Sequence, residues 1–129
     1  MKLEFFAGAF EGAGLLLLHS GNPSEVERLR RQVSRLTVPG ASVHLNALDY
    51  VEAVDSCELT LSSTNRGYGV HVHDGARRFE LRLAPPEWER VSDLLEPFCS
   101  PTPDAEGGRF QYLHEHGGIE VIYSTSRQW

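Results

Sequence analysis

Pro23-Ser24-Glu25-Val26-Glu27-Arg28-Leu29 returns 62 positions later as Pro85-Pro86-Glu87-Trp88-Glu89-Arg90-Val91. Both copies read proline, any residue, Glu, apolar, Glu, Arg, apolar. The same offset lays Cys57-Glu58-Leu59-Thr60-Leu61-Ser62-Ser63 onto Ile119-Glu120-Val121-Ile122-Tyr123-Ser124-Thr125. One offset that serves two separated segments argues for an internal duplication. The chain then reads as a single domain of two pseudo-repeats, about residues 1–66 and 67–129.

Each copy of the motif opens a helix. Asn22 is a good N-cap, Pro23 suits the first helical position, and Glu25 stands in capping-box register. Val26, Leu29, Val33 and Leu36 recur at i, i+3, i+7 and i+10, one apolar stripe that predicts a packed face over 22–36. Trp88, Val91, Leu95 and Phe98 repeat that spacing, which predicts a second helix over 85–98. Pro39-Gly40 and Pro97 mark the ends. Glu27 and Arg31 form an i, i+4 pair worth a few tenths of a kcal/mol.

Outward from the helices the pattern changes to strands. Lys2-Leu3-Glu4-Phe5-Phe6 reads as an edge strand. Leu15-Leu16-Leu17-Leu18 is too short for a helix and apolar on both sides, so it reads as a strand covered on both faces. Residues 42–48 and 58–61 alternate. Residues 49–56 carry helical spacing at Leu48, Val51 and Val54, consistent with a single turn. Asp74-Gly75 favours a two-residue hairpin, which would set His73 opposite Ala76, His71 opposite Arg78 and Val70 opposite Phe79. Its core face would be Tyr68, Val70, Val72, Phe79, Leu81 and Leu83. Residues 100–108 read as a loop, and 109–114 with 119–125 as a closing hairpin across Gly117-Gly118. The order ββαββ, twice, predicts an α+β fold with a largely antiparallel sheet and both helices on one face.

Composition narrows the function. The 129 residues are 40% apolar and 23% charged, ordinary for a globular protein, with net charge −6. That balance disfavours nucleic acid, despite Arg28, Arg30, Arg31 and Arg35 clustering on the first helix. No apolar run approaches the ~20 residues that cross a bilayer, and Met1-Lys2 leads to Glu4 rather than to a signal sequence, so a cytoplasmic protein is expected. Cys57 and Cys99 read as free thiols. Gly-x-Ser-x-Gly, Gly-x-Gly-x-x-Gly and Gly-Lys-Ser/Thr are all missing from the sequence.

His71-x-His73 and His114-x-His116 could ligate zinc or another divalent metal, with Glu80 or Glu115 completing the set, because alternate strand residues point the same way. The plainer reading is a solvated face, since Arg78 and Arg82 lie beside the first pair. Ser63-Thr64-Asn65-Arg66-Gly67-Tyr68 and Ser124-Thr125-Ser126-Arg127-Gln128-Trp129 each bring hydroxyls, an arginine and an aromatic residue to the end of a strand, types enriched in binding hot spots. Arg66, Arg127 and Trp129 are therefore candidate partner contacts.

Gly21-Asn22-Pro23-Ser24-Glu25-Val26-Glu27-Arg28-Leu29, Ser42-Val43-His44-Leu45 and Glu58-Leu59-Thr60-Leu61 resemble short immunity proteins of bacterial polymorphic toxin systems. The resemblance covers the first half and implies a non-catalytic protein that neutralises a cognate toxin by binding it. Asp49, Glu52, Asp55 and Glu58 would then be the contact surface, suited to a basic, nuclease-like partner. Regrouped as β, α, β, β, β over residues 15–83, the order also resembles the duplicated glyoxalase and extradiol dioxygenase superfamily, which implies a metal near His19 and Glu120. The sequence leaves monomer and homodimer both open.

Overall fold

Both motifs start helices, and by different means. The computed structural model describes residues 1–10, 13–73, 77–100, 109–115, 118–127 and 129. Helix α1 spans Pro23–Ser34, where the Asn22 side chain accepts the Ser24 N–H at 3.0 Å. Helix α2 spans Pro85–Leu95 with Ala84 at the cap and no capping side chain. Pro85 and Pro86 remove the first two N–H groups, so fewer donors need a partner. Glu25 does not close a capping box: its carboxylate takes the Met1 α-ammonium at 2.7 Å and the Ser20 hydroxyl at 2.6 Å.

Both apolar stripes are buried, at 0–1% exposure for Val26, Leu29, Val33 and Leu36 and at most 7% for Trp88, Val91, Leu95 and Phe98. Each such side chain contributes about 1.5–3 kcal/mol on leaving water. The helices also meet each other. Arg30 Nε donates to the Ser92 carbonyl at 3.0 Å, and these two residues stand 62 positions apart, the offset of the motif.

The strands are β1 Lys2–Phe10, β2 Ala13–His19, β3 Ser42–His44, β4 Glu52–Ala53, β5 Glu58–Ser63, β6 Gly69–His73, β7 Arg78–Leu83, β8 Phe110–His114 and β9 Glu120–Ser124. They form two sheets, not one: β4-β1-β2-β9-β8 and β3-β5-β7-β6. Exchanging β1 with β6, β2 with β7, β3 with β8 and β5 with β9 turns the order 1-2-9-8 into 6-7-5-3, so each sheet takes strands from both halves. β1–β2, β8–β9, β3–β5 and β6–β7 are antiparallel, β4 adds to β1 in parallel, and the halves join through the parallel pairs β2–β9 and β5–β7. Leu16 and Leu18 of β2 face the main core with Val121 and Tyr123 of β9. Leu15 and Leu17 make a smaller core on the other face with Ile122, Phe6 and Tyr112. A strand apolar on both faces is stable only with cover above and below, and it takes a central place.

Other expectations change. β3 stops at His44 and turns through a 3-10 turn, Leu45–Ala47. Residues 49–56 hold β4 and a second 3-10 turn, Val54–Ser56, in which Asp55 (φ 54°) and Ser56 (φ 59°) are left-handed. β1 is no edge strand, because β4 pairs alongside it. Residues 74–76 and 101–108 lie outside the described residues, as do His116 and Gly117, so neither turn predicted at 74–75 and 117–118 nor the loop at 100–108 can be followed through. The observed pairing nevertheless sets His73 opposite Arg78, His71 opposite Glu80 and Val70 opposite Leu81. That is a shift of two residues from a two-residue hairpin, and an even shift keeps every side chain on its predicted face. Phe79, Leu81 and Leu83 are buried as expected, whereas Tyr68 and Val72 are exposed. No described helix is long and apolar enough to cross a membrane.

Candidate functional site: an open cleft between two sheet edges

β6 ends one sheet and β8 ends the other. Between them lies a cleft of about 800 Å³, a volume within the range of ligand sites. One wall is Gly69, Val70 and His71 of β6 with Tyr68 just before it, and the other is Tyr112, Leu113 and His114 of β8 with Glu115 just after it. The first two turns of α2 close it with Pro86, Glu87 and Arg90. The walls are close where Gly69 passes His114: a Cβ on Gly69 would sit 3.8 Å from His114 Nε2. Gly69 has φ +107°, a conformation that side-chain-bearing residues rarely adopt.

Why the cleft exists follows from comparing the halves. The exchange of strands maps β6 and β8 onto β1 and β3, and the gap there is filled. β3 connects to β5 through residues 45–57, whereas β8 connects to β9 through 115–119 only. The longer connection lays β4 along β1 as a parallel strand, Lys2 opposite Glu52 and Leu3 opposite Ala53, with the Glu52 N–H on the Met1 carbonyl at 2.8 Å. Leu45 is fully buried, and Leu48, Tyr50 and Val51 pack on the main core. Asn46 holds this segment in place, donating to the Cys57 carbonyl at 2.8 Å and accepting the Leu59 N–H at 3.0 Å. In the second half, among the described residues, no segment pairs alongside β6 as β4 does alongside β1.

The motif residues stand at both clefts. Arg28 of α1 bonds Asp49 at 2.7 Å and lies over the Tyr50 ring at 4.2 Å, gripping the filling segment. Burial pushes the Tyr50 hydroxyl above its ordinary pKa, against the pull of Arg28. Glu25 beside it is held below the usual glutamate range by the Met1 ammonium and the Ser20 hydroxyl. Arg90 and Glu87, 62 positions on, line the open cleft, about half exposed and 3.8 Å apart.

The other candidates scatter. Asp49 is bound to Arg28 and Glu58 to Arg78 at 2.8 Å, while Glu52 lies on β4 and Asp55 in the following turn, so two of the four acids already carry arginine partners. His71 bonds the Gly67 carbonyl, and His73 bonds Glu80 at 3.2 Å. Glu80 also takes Ser62 and Arg82, each at 2.8 Å. Burial raises the Glu80 pKa, but those three hydrogen bonds outweigh it and leave the pKa lowered. His71 and His114 reach the same cleft, and His116 lies outside the described residues. Among the described residues, no group of three or more His, Cys, Asp or Glu is placed to hold a metal ion. Arg66 is exposed after β5. Arg127 clamps the buried Glu4, and Trp129 packs against Phe6 with ring centroids 5.0 Å apart and planes tilted by 46°. His19 bonds the same Glu4 at 3.0 Å.

No family model, curated protein or solved structure matches the chain.

Pro86, Glu87 and Arg90 line the cleft and were not among the residues singled out from the sequence. Their signal was the repeated motif itself, read there only as the start of a helix.

Proposed function

We propose that this chain is a non-catalytic protein-binding domain whose open cleft takes an extended segment of a partner protein along the β6 edge. The observation that carries the reading is the filled counterpart: the same pair of edges in the first half already receives an extended segment, β4, laid parallel to β1. An unpaired edge supplies backbone donors and acceptors, and the adjoining pocket supplies side-chain selectivity, the physics of recognition by strand addition. Tyr68, Pro86 and Tyr112 add apolar surface next to that edge.

The finer reading is an immunity protein that neutralises a cognate bacterial toxin, and it draws on the resemblance of the first-half segments. With Asp49 and Glu58 already paired, the cleft replaces the acidic surface as the contact. Co-expression with the product of the adjacent gene, followed by hydrogen exchange on the complex, tests both levels. The expected result is a stable complex with new protection at residues 68–71. Protection confined to the outer face of β3, β5 and β7 would sink the cleft, and no complex would sink the toxin reading.

One observation favours a second reading. His71 and His114 line the same cleft, as an enzyme binding a metal or small ligand would need. Stoichiometric zinc or another divalent ion, lost in His71→Ala and His114→Ala, would carry that alternative.

A further inference from the structure

We infer that the open cleft selects a segment in which an acidic residue is followed directly by an aromatic one, read by Arg90. The inference rests on the strand-addition reading and adds the chemistry of the occupant.

The filled cleft serves as the template. There Arg28 holds the Asp49 carboxylate at 2.7 Å and the Tyr50 ring at 4.2 Å, and β4 begins two residues later, at Glu52. Arg28 and Arg90 occupy the same place in the repeated motif, one turn into the helices that follow β2 and β7. The edge matches as well. Leu3 faces Leu18 across β1–β2, and Val70 faces Leu81 across β6–β7, so Lys2 and Leu3, which pair with β4, correspond to Gly69 and Val70. Both of the latter line the cleft beside Arg90. A segment running Asp-aromatic-x-x-x, with its last two residues on Gly69 and Val70, would make in the second half the contacts that residues 49–53 make in the first. A guanidinium suits the pair because it donates to a carboxylate in its plane and packs a ring on its face.

The occupant belongs to another protein. The chain's own Asp49-Tyr50 segment is already engaged on Arg28, and a second copy would have to open its first half to donate it. Arg90 is free to turn toward a ligand: its contact with Glu87 is a 3.8 Å surface pair, and such pairs contribute little.

The test is a titration of the intact protein, followed by backbone amide NMR, with an acetylated peptide copying residues 48–55, Leu-Asp-Tyr-Val-Glu-Ala-Val-Asp, up to millimolar concentration. Saturable shifts at Gly69, Val70 and His71 are expected. Arg90→Gln, an exposed change that leaves the core untouched, should weaken binding about ten-fold, the size of one ion pair plus one cation–π contact. Arg28→Gln should leave the second-half shifts in place, and Glu87→Gln should tighten binding by removing a neighbouring carboxylate. A peptide with Ala for both Asp and Tyr that binds equally well would overturn the inference and leave the cleft as a general strand acceptor. Absence of cleft shifts with either peptide would overturn the strand-addition reading too.

Discussion

Arg127 tests whether the end of the chain is a contact surface or a structural clamp. It donates to Glu4 from Nε at 3.0 and 3.3 Å and from Nη2 at 3.2 Å, while His19 approaches the same carboxylate at 3.0 Å. Glu4 is only 6% exposed, so it depends on those partners. A hydrogen bond to a buried charge contributes about 1.5–3 kcal/mol. The Arg127 side chain is 65% exposed, so water screens its side of the pair and can reach the gap it leaves. The expected cost of Arg127→Gln is about 1.5 kcal/mol at pH 7, or roughly 4–8 °C in Tm for a domain near this size. Burial raises the Glu4 pKa, but the hydrogen bonds from Arg127 and His19 outweigh it and the folded-state value lies below the ordinary 4.5. A depressed carboxylate stabilises the fold above its unfolded pKa, and that contribution is lost as pH falls through the folded value. Urea unfolding of wild type and variant should therefore show the full difference at pH 7 and a closing gap as the pH is taken below 4.5. A gap that stays constant down to the lowest pH at which the wild type folds, or no gap at pH 7, would refute the clamp.

Asn46→Ala should destabilise by about 2 kcal/mol, since it leaves the Leu59 N–H and Cys57 carbonyl without their partner, and should speed hydrogen exchange through residues 45–57. Leu29→Ala, a cavity between helices and sheets, should cost about 3 kcal/mol in denaturant unfolding. Burial pushes the Cys99 thiol up to about 11, and Cys57 is fully buried with its pKa also raised, so iodoacetamide at pH 8 should label both cysteines in urea and neither quickly in the folded state. His73→Ala, on the exposed face of β6, should shift stability by less than about 0.5 kcal/mol, read from the urea midpoint.

What the sequence determined by itself was local and periodic. The helical stripes, the Asn22 cap, the Glu27–Arg31 pair at 3.4 Å and the burial of Leu15 to Leu18 on two faces all follow from spacing within one element. Alternation in β6 and β7 fixed which side of each strand is apolar, and a register slip of two residues left that assignment intact. Only the tertiary structure decided which strands are neighbours. β2 pairs in parallel with β9, Leu15 opposite Glu120, and β5 passes over its neighbour β6 to pair with β7, and no pattern within a strand encodes that choice of partner. The cleft is of the same kind: an 800 Å³ gap lies between two edges where, among the described residues, no segment takes the place that 45–57 takes in the first half. Glu87 and Arg90 were visible as a repeated Glu-x-x-Arg. Only the tertiary structure places them at a cleft, opposite in the fold to the place where Arg28 holds residues 49 and 50 of the chain itself.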